Sequence, residues 1–87
     1  MKLIDFYADW CGPCQMLKPV VAEVMSEITD VELEEVNIDV NQDRAVKSGV
    51  MSIPTLVLLD DAGEEIDRKI GALSKDALKQ WIESNKS

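Results

Sequence analysis

The order of apolar and polar positions along the chain predicts four strands and a long helix. Residues 2–8 and 55–59 are mostly apolar runs, which are typical of buried strands. Residues 31–40 and 64–70 combine apolar with charged side chains and predict two more strands. Between the strands predicted at residues 2–8 and 31–40, apolar residues recur at helical spacing, which predicts a long helix. We expect this helix to bend at Pro19 rather than stop there. This stripe consists of Leu17, Val20, Val21, Val24, Met25 and Ile28.

Two further helices are predicted from the residues at their ends. Asn41 is expected to cap a short helix that ends at Gly49, and Ser74 to cap the last helix. The apolar face of the last helix is expected to contain Ala77, Leu78, Trp81 and Ile82. The element order is then β-α-β-α-β-β-α, which predicts a parallel strand pair with a crossover and an antiparallel hairpin around a turn at residues 60–63. We expect one domain over residues 1–87.

Composition narrows the classes of function. The chain has 87 residues, with 17 acidic and 9 basic side chains and a net charge of −8. This excess of acid disfavours binding to nucleic acids and to anionic membrane surfaces. The apolar runs of the chain are too short to span a bilayer. Met1 leads into the first strand without a signal-peptide pattern. These features predict a cytoplasmic protein with neither a nucleic-acid nor a membrane partner.

The two cysteines are the candidate chemistry. Cys11 and Cys14 flank a Gly-Pro pair where the first strand ends and the first helix begins. A disulfide across so short a loop would stabilise the fold by only about 2 kcal/mol, so a structural role explains it poorly. At a helix N-terminus, free backbone N–H groups and the helix dipole favour a thiolate. We therefore expect Cys11 to be the exposed, attacking thiolate and Cys14 to be the more buried cysteine that resolves the mixed disulfide.

Other interpretations of the pair stay open from the residues alone. Zinc prefers four nitrogen or sulfur ligands, and the chain has no histidine, so a zinc site would have to be shared between two chains. The cysteines can also be inert core residues. A binding module is a further alternative, in which the apolar rim around Cys11 serves as a scaffold surface and redox activity is incidental. We expect no metal and no other cofactor.

Three segments together resemble a known family. "DFYADWCGPC" (5–14) resembles the active site of thioredoxins, "SIPTL" (52–56) resembles their cis-proline loop, and "GALSK" (71–75) resembles the glycine-containing loop before their last helix. The segments have the family's order and approximate spacing over the whole chain. The resemblance implies an α/β, thioredoxin-like three-layer fold with a four-stranded mixed sheet flanked by helices.

The resemblance also implies roles for the matching residues. Cys11 corresponds to the attacking cysteine, Cys14 to the resolving cysteine, and Asp5 to a buried acid beneath the pair. The residues expected to support the active site are Trp10, Gly12, Pro13 and Pro54. The residues expected to dock a client are Trp10, Ile53, Pro54, Gly71 and Ala72. The implied activity is reduction of protein disulfides by a monomer, with disulfide-containing proteins as clients and a reductase as the electron donor.

The chain departs from the family pattern in three places. The resemblance implies a compact form without the strand and helix that the family usually carries before the segment starting at Lys2, so residues 31–38 are expected at the edge of the sheet. Tyr7 stands where the family commonly has tryptophan, and Glu35 where it commonly has lysine. Alternation along the second strand places Glu35 on the face of Asp5, which predicts a carboxyl pair with at least one raised pKa. A β-bulge would instead turn Glu35 out to solvent.

Overall fold

The computed structural model describes residues 1–86, and its elements follow the expected order. The strands are β1 (Lys2–Tyr7), β2 (Glu32–Asn37), β3 (Thr55–Leu59) and β4 (Glu65–Ile70), and the helices are α1 (Gly12–Glu27), α2 (Gln42–Lys47) and α3 (Lys75–Ser84). The strands form a four-stranded sheet in the order β2-β1-β3-β4. β1 is parallel to β2 and antiparallel to β3, and β3 and β4 form the antiparallel hairpin. The expected mixed sheet is therefore confirmed.

Helices cover both faces of the sheet, which explains why β1 and β3 are apolar on both sides. One face packs against α1 and α3 in a core cluster that includes Leu3, Leu17, Leu56, Leu78 and Ile82. The other face packs against α2 in a cluster of Ile4, Phe6, Val36, Ala45 and Val57. The two central strands thus form the middle layer of three, as the sequence predicts.

The ends of two elements differ from the prediction. β2 stops at Asn37 rather than at residue 40, because the Asn37 side-chain oxygen accepts a hydrogen bond from the Asp39 N–H (2.9 Å) and starts a turn. Asn41 does occupy the cap position of α2, but its side chain makes no capping hydrogen bond, so that part of the prediction is wrong. Its backbone carbonyl accepts from the N–H groups of Arg44 (3.2 Å) and Ala45 (3.4 Å) instead.

The two longer helices follow the sequence more closely. α1 continues through Pro19. The cap of α3 is confirmed, because the Ser74 hydroxyl accepts a hydrogen bond from the Ala77 N–H (3.2 Å). The Ala77 side chain is exposed, however, and the buried face of α3 is made by Leu78, Trp81 and Ile82. Three of the four residues expected on the apolar face of α3 are therefore buried, and Ala77, in the first turn, is not.

β2 is an edge strand, as predicted, with β1 as its pairing strand within residues 1–86. Glu32 and Glu35 are exposed on it, and Glu34 forms an ion pair with Arg44 (2.7 Å). Charged side chains on an edge strand disfavour pairing with other chains. None of the helices in the described residues is both long and apolar enough to cross a membrane.

Candidate active site

The cysteine pair lies where β1 ends and α1 begins. Cys11 is the N-cap of α1 and has extended backbone angles (φ −86°, ψ 111°), and its N–H donates to the Ala8 carbonyl (3.2 Å). Gly12 and Pro13 are the first helical residues. Proline is well tolerated there because the first helical N–H groups have no intrahelical acceptor. The local sequence therefore places Cys11 at the helix end.

Cys11 and Cys14 form a disulfide in this structure, with their Cα atoms 5.2 Å apart. The Cys14 backbone N–H donates a hydrogen bond to the Cys11 sulfur, with 3.2 Å between nitrogen and sulfur. This N–H is one of the free donors of the first helical turn. A thiolate on Cys11 would receive the same donor and the positive end of the helix dipole. The geometry therefore favours negative charge on Cys11 when the disulfide is reduced.

The predicted difference in exposure between the two cysteines is wrong for the disulfide form. Each cysteine is only 5% exposed. Tyr7, Ile38 and Ile53 pack against the pair, and the Cys11 sulfur lies 4.0 Å from the Ile53 carbonyl oxygen. These neighbours come from other parts of the chain and could not be placed from the local pattern. Hydrogen bonding by the helix end, rather than exposure, distinguishes Cys11 here.

The cis-proline loop packs beside the cysteine pair and is joined to the loop before α3. The Ile53–Pro54 peptide bond is cis, as the sequence resemblance implies, and Pro54 is buried. The Gly71 N–H donates to the Pro54 carbonyl (2.8 Å), which joins the loop before α3 to the cis-proline loop. Gly71 has a φ of 97°, which a residue with a Cβ adopts only with strain. The structure thus brings Ile53, Pro54 and Gly71 together, and Ala72 follows as an exposed neighbour.

Trp10 forms the rim of the site rather than part of the core. Its side chain is 70% exposed, and its indole N–H donates to the Asp39 carboxylate (2.9 Å). Beside it runs a groove of about 350 Å³ lined by Trp10, Ile38, Val50, Met51, Ser52 and Ile53. Val50 and Met51 line this groove although they were not among the site residues expected from the sequence. Apolar residues directly before the "SIPTL" loop were the available signal.

Asp5 is the buried acid that the resemblance implies. It is 4% exposed in the middle of β1, and its Oδ1 has no hydrogen-bond partner within the part of the chain that the structure describes. Burial, and after it the Glu35 carboxylate, raises the pKa of Asp5 to about 6, and Lys18 opposes the rise. Cys14 and Lys18 are one turn apart on α1, so they share a side of that helix. Asp5 is therefore acted on by a charge from the helix that carries Cys14.

Glu35 lies on the Asp5 side of the sheet. β1 and β2 pair in continuous register from Lys2↔Glu32 to Tyr7↔Asn37, with Asp5 opposite Glu35. The bulge that would have turned Glu35 away is therefore excluded. Glu35 is exposed even so, because β2 is the edge strand and its side chains reach solvent. The carboxyl pair is confirmed in its placement and in the raised pKa of Asp5.

The assembled residues are suited to thiol–disulfide exchange. A dithiol on one helical turn can transfer two electrons by closing its own disulfide. A buried acid with a pKa near neutrality can accept or donate a proton beside it. Within residues 1–86 no cluster of three or more His, Cys, Asp or Glu side chains could hold a metal ion.

Comparisons with known proteins agree with this chemistry. The sequence profile of the thioredoxin family matches residues 1–84. A thioredoxin of Chlamydia caviae is 48% identical over 82 residues, which cover 94% of this chain and 79% of that protein. A thioredoxin of Bacillus subtilis is 44% identical, with 92% of this chain and 77% of that protein covered. Among solved structures, a mutant thioredoxin from Halobacterium salinarum is 50% identical and superimposes with a TM-score of 0.88 over 99% of this chain and 74% of that one.

Proposed function

Since the chain belongs to the thioredoxin family and is a protein-disulfide reductase, we propose that Cys11 attacks the client disulfide and Cys14 resolves the mixed disulfide. The observation that carries this assignment is the hydrogen bond from the Cys14 N–H to the Cys11 sulfur at the start of α1. It favours the thiolate on Cys11, and the thiolate is the species that attacks a disulfide.

The proposed reaction has two exchanges. In the first, the Cys11 thiolate forms a bond to one client sulfur, and the other client sulfur leaves as a thiolate. In the second, Cys14 gives its thiol proton to the Asp5 carboxylate and attacks the Cys11 sulfur. The Cys11–Cys14 disulfide forms, the bond to the client breaks, and the client leaves as a second thiolate that takes a proton from water. Two electrons pass to the client, and a reductase returns them to the pair.

The client is proposed to dock along the loops that surround the cysteines. Ile53 presents its backbone beside Cys11, and Trp10 lines the same groove as Ile53. Gly71 is hydrogen-bonded to Pro54, the residue that follows Ile53. An extended client segment can pair with backbone groups of such a loop while its side chains enter the groove. The net charge of −8 favours basic docking surfaces on client and reductase. We further propose that the chain acts as one monomeric domain in the cytoplasm.

A disulfide-reduction assay tests the proposal. Insulin reduction with a reductase or dithiothreitol as electron donor should be lost in Cys11→Ser. Cys14→Ser should accumulate mixed disulfides with clients, because the second exchange is blocked. Alkylation of the reduced protein at pH 7 should label Cys11 before Cys14. Faster labelling of Cys14 would reverse the roles, and full function in the double variant Cys11→Ser/Cys14→Ser would support a scaffold instead.

A further inference from the structure

The position of Glu35 relative to Asp5 gives the buried acid a charged neighbour at the open edge of the sheet. The two residues are direct partners in the parallel ladder and lie on the same sheet face. Neighbouring strands are about 4.8 Å apart, so the two side chains start within reach of each other. Asp5 is almost fully buried, whereas Glu35 is exposed. One carboxyl group of this pair therefore faces the protein interior and the other faces water.

The surroundings of Asp5 leave few other routes to solvent. On the β3 side its ladder partner is Leu56, which is fully buried. Leu3, two residues back on the same face of β1, is also fully buried. Tyr7, two residues further along the same face of β1, is half-buried and packs against the cysteine pair, and α1 contributes one charged group that acts on Asp5, Lys18. The charged groups that act on Asp5 are thus Glu35 from β2 and Lys18 from α1.

We propose that Glu35 is a positioning residue for the resolving step: from the solvent side of the buried acid, its carboxylate controls the pH at which Asp5 gives up its proton. The inference rests on the proposed function, because it concerns the proton that Cys14 transfers to Asp5. Asp5 can accept this proton only when it is ionised. A negative charge on Glu35 opposes that ionisation, so the Asp5 carboxylate forms only at higher pH.

The effect of removing the charge has a definite sign. In Glu35→Gln the carboxylate of Asp5 should form at lower pH, and the rate of the resolving step should rise at correspondingly lower pH. For two charges about 6 Å apart that are screened by the water around Glu35, the expected shift is about half to one pH unit. With the pKa of Asp5 at about 6, this is roughly a two- to threefold faster resolving step at pH 5.5, and near pH 8, where Asp5 is ionised in both proteins, the rates should converge. Glu35→Lys should shift the profile further in the same direction.

The experiment uses two readouts on the full chain. Stopped-flow mixing of the reduced protein with a symmetrical aromatic disulfide releases one coloured thiolate on attack and a second on resolution, so the second phase measures the resolving step from pH 5 to 9. In parallel, carbon NMR of the Asp5 carboxyl group in the disulfide form follows its titration directly. Glu32→Gln is the matched control, because it removes the same charge from the same strand but its ladder partner is Lys2 on the other face.

The proposal predicts a downward shift in both readouts for Glu35→Gln and none for Glu32→Gln. A Glu35→Gln profile that superimposes on that of the unaltered protein in either readout would overturn it. Equal shifts in Glu35→Gln and Glu32→Gln would also overturn it, because they would indicate only the overall loss of charge. A change in stability without a change in either midpoint would assign Glu35 a structural role and would also refute the proposal. If the unaltered protein released no second thiolate, the proposed function would fail, and the NMR titration would still decide the role of Glu35.

Discussion

Replacing Asp5 with asparagine is expected to stabilise the disulfide form at neutral pH, because it removes a charge from a buried site. The pKa of Asp5 is raised from 3.8 to about 6, mainly by burial and then by Glu35. At about 1.4 kcal/mol per pH unit, this difference corresponds to about 3 kcal/mol of lost stability once the acid is ionised. A protonated Asp5 carries no such cost. Stability is therefore highest below the unfolded pKa near 4 and falls as pH rises through the folded value.

Urea unfolding of the two oxidised proteins at two pH values measures this contribution. Linkage predicts that the ionisable Asp5 costs the native state about 1 kcal/mol at pH 4.5 and about 3 kcal/mol at pH 8. Asparagine does not titrate, so the advantage of Asp5→Asn should grow by about 2 kcal/mol between these pH values. Comparing the two proteins at each pH cancels the titration of other groups. The same variant should slow the resolving step by about 10²-fold or more if Asp5 is the base.

Glu32→Gln serves as the control, since it removes an exposed carboxylate from the neighbouring strand. Its free energy of unfolding should stay within about 0.5 kcal/mol of the unaltered protein. A stabilisation by Asp5→Asn of equal size at pH 4.5 and pH 8 would mean that packing, not ionisation, is responsible. A loss of stability at pH 8 would refute the reasoning from the buried charge altogether.

Two surface changes test the docking groove and the sheet edge. Trp10→Ala should raise KM for protein clients about tenfold, because an aromatic contact at an interface commonly contributes over 1 kcal/mol. Met16→Ala is the control, because Met16 is also apolar and exposed (73%, against 70% for Trp10) but does not line the groove. An equal rise in KM for the two variants would count against the groove as the docking site. Glu32→Val should increase aggregation in light scattering because it removes a charge from the edge strand. Glu83→Val on α3 is the control, and equal aggregation in the two would contradict the role of the edge.

Much of the local architecture could be predicted because it depends on neighbours in the chain. The apolar runs of β1 and β3 reflect burial on both sheet faces, and the spacing of three and four residues in α1 reflects a helix packed on one side. The cap formed by Ser74 and the position of Cys11 at a helix end likewise follow from short-range backbone geometry. For the same reason, the disulfide within one helical turn was foreseeable from two cysteines three residues apart.

The resemblance to thioredoxins predicted features of the site that hydrophobic periodicity does not encode. The cis bond before Pro54 and the role of the loop at Gly71 came from matching segments, since no hydrophobic pattern encodes them. These residues are distant from Cys11 in the chain. Their proximity follows from the shared fold, in which strand ends and loops collect at one end of the sheet.

Exposure and ionisation were decided only by the tertiary structure. Cys11 was expected to be exposed, but its cover includes Ile53, 42 residues away, and no local pattern reports that contact. Asp5 and Glu35 are both carboxylates on strands, and alternation placed them on one face. Only the strand order makes β1 central and β2 the edge, so that Asp5 is buried with a raised pKa while Glu35 remains in water. The sequence determined which side of its strand each acid occupies, and the neighbouring strands and helices determined how much water each one meets.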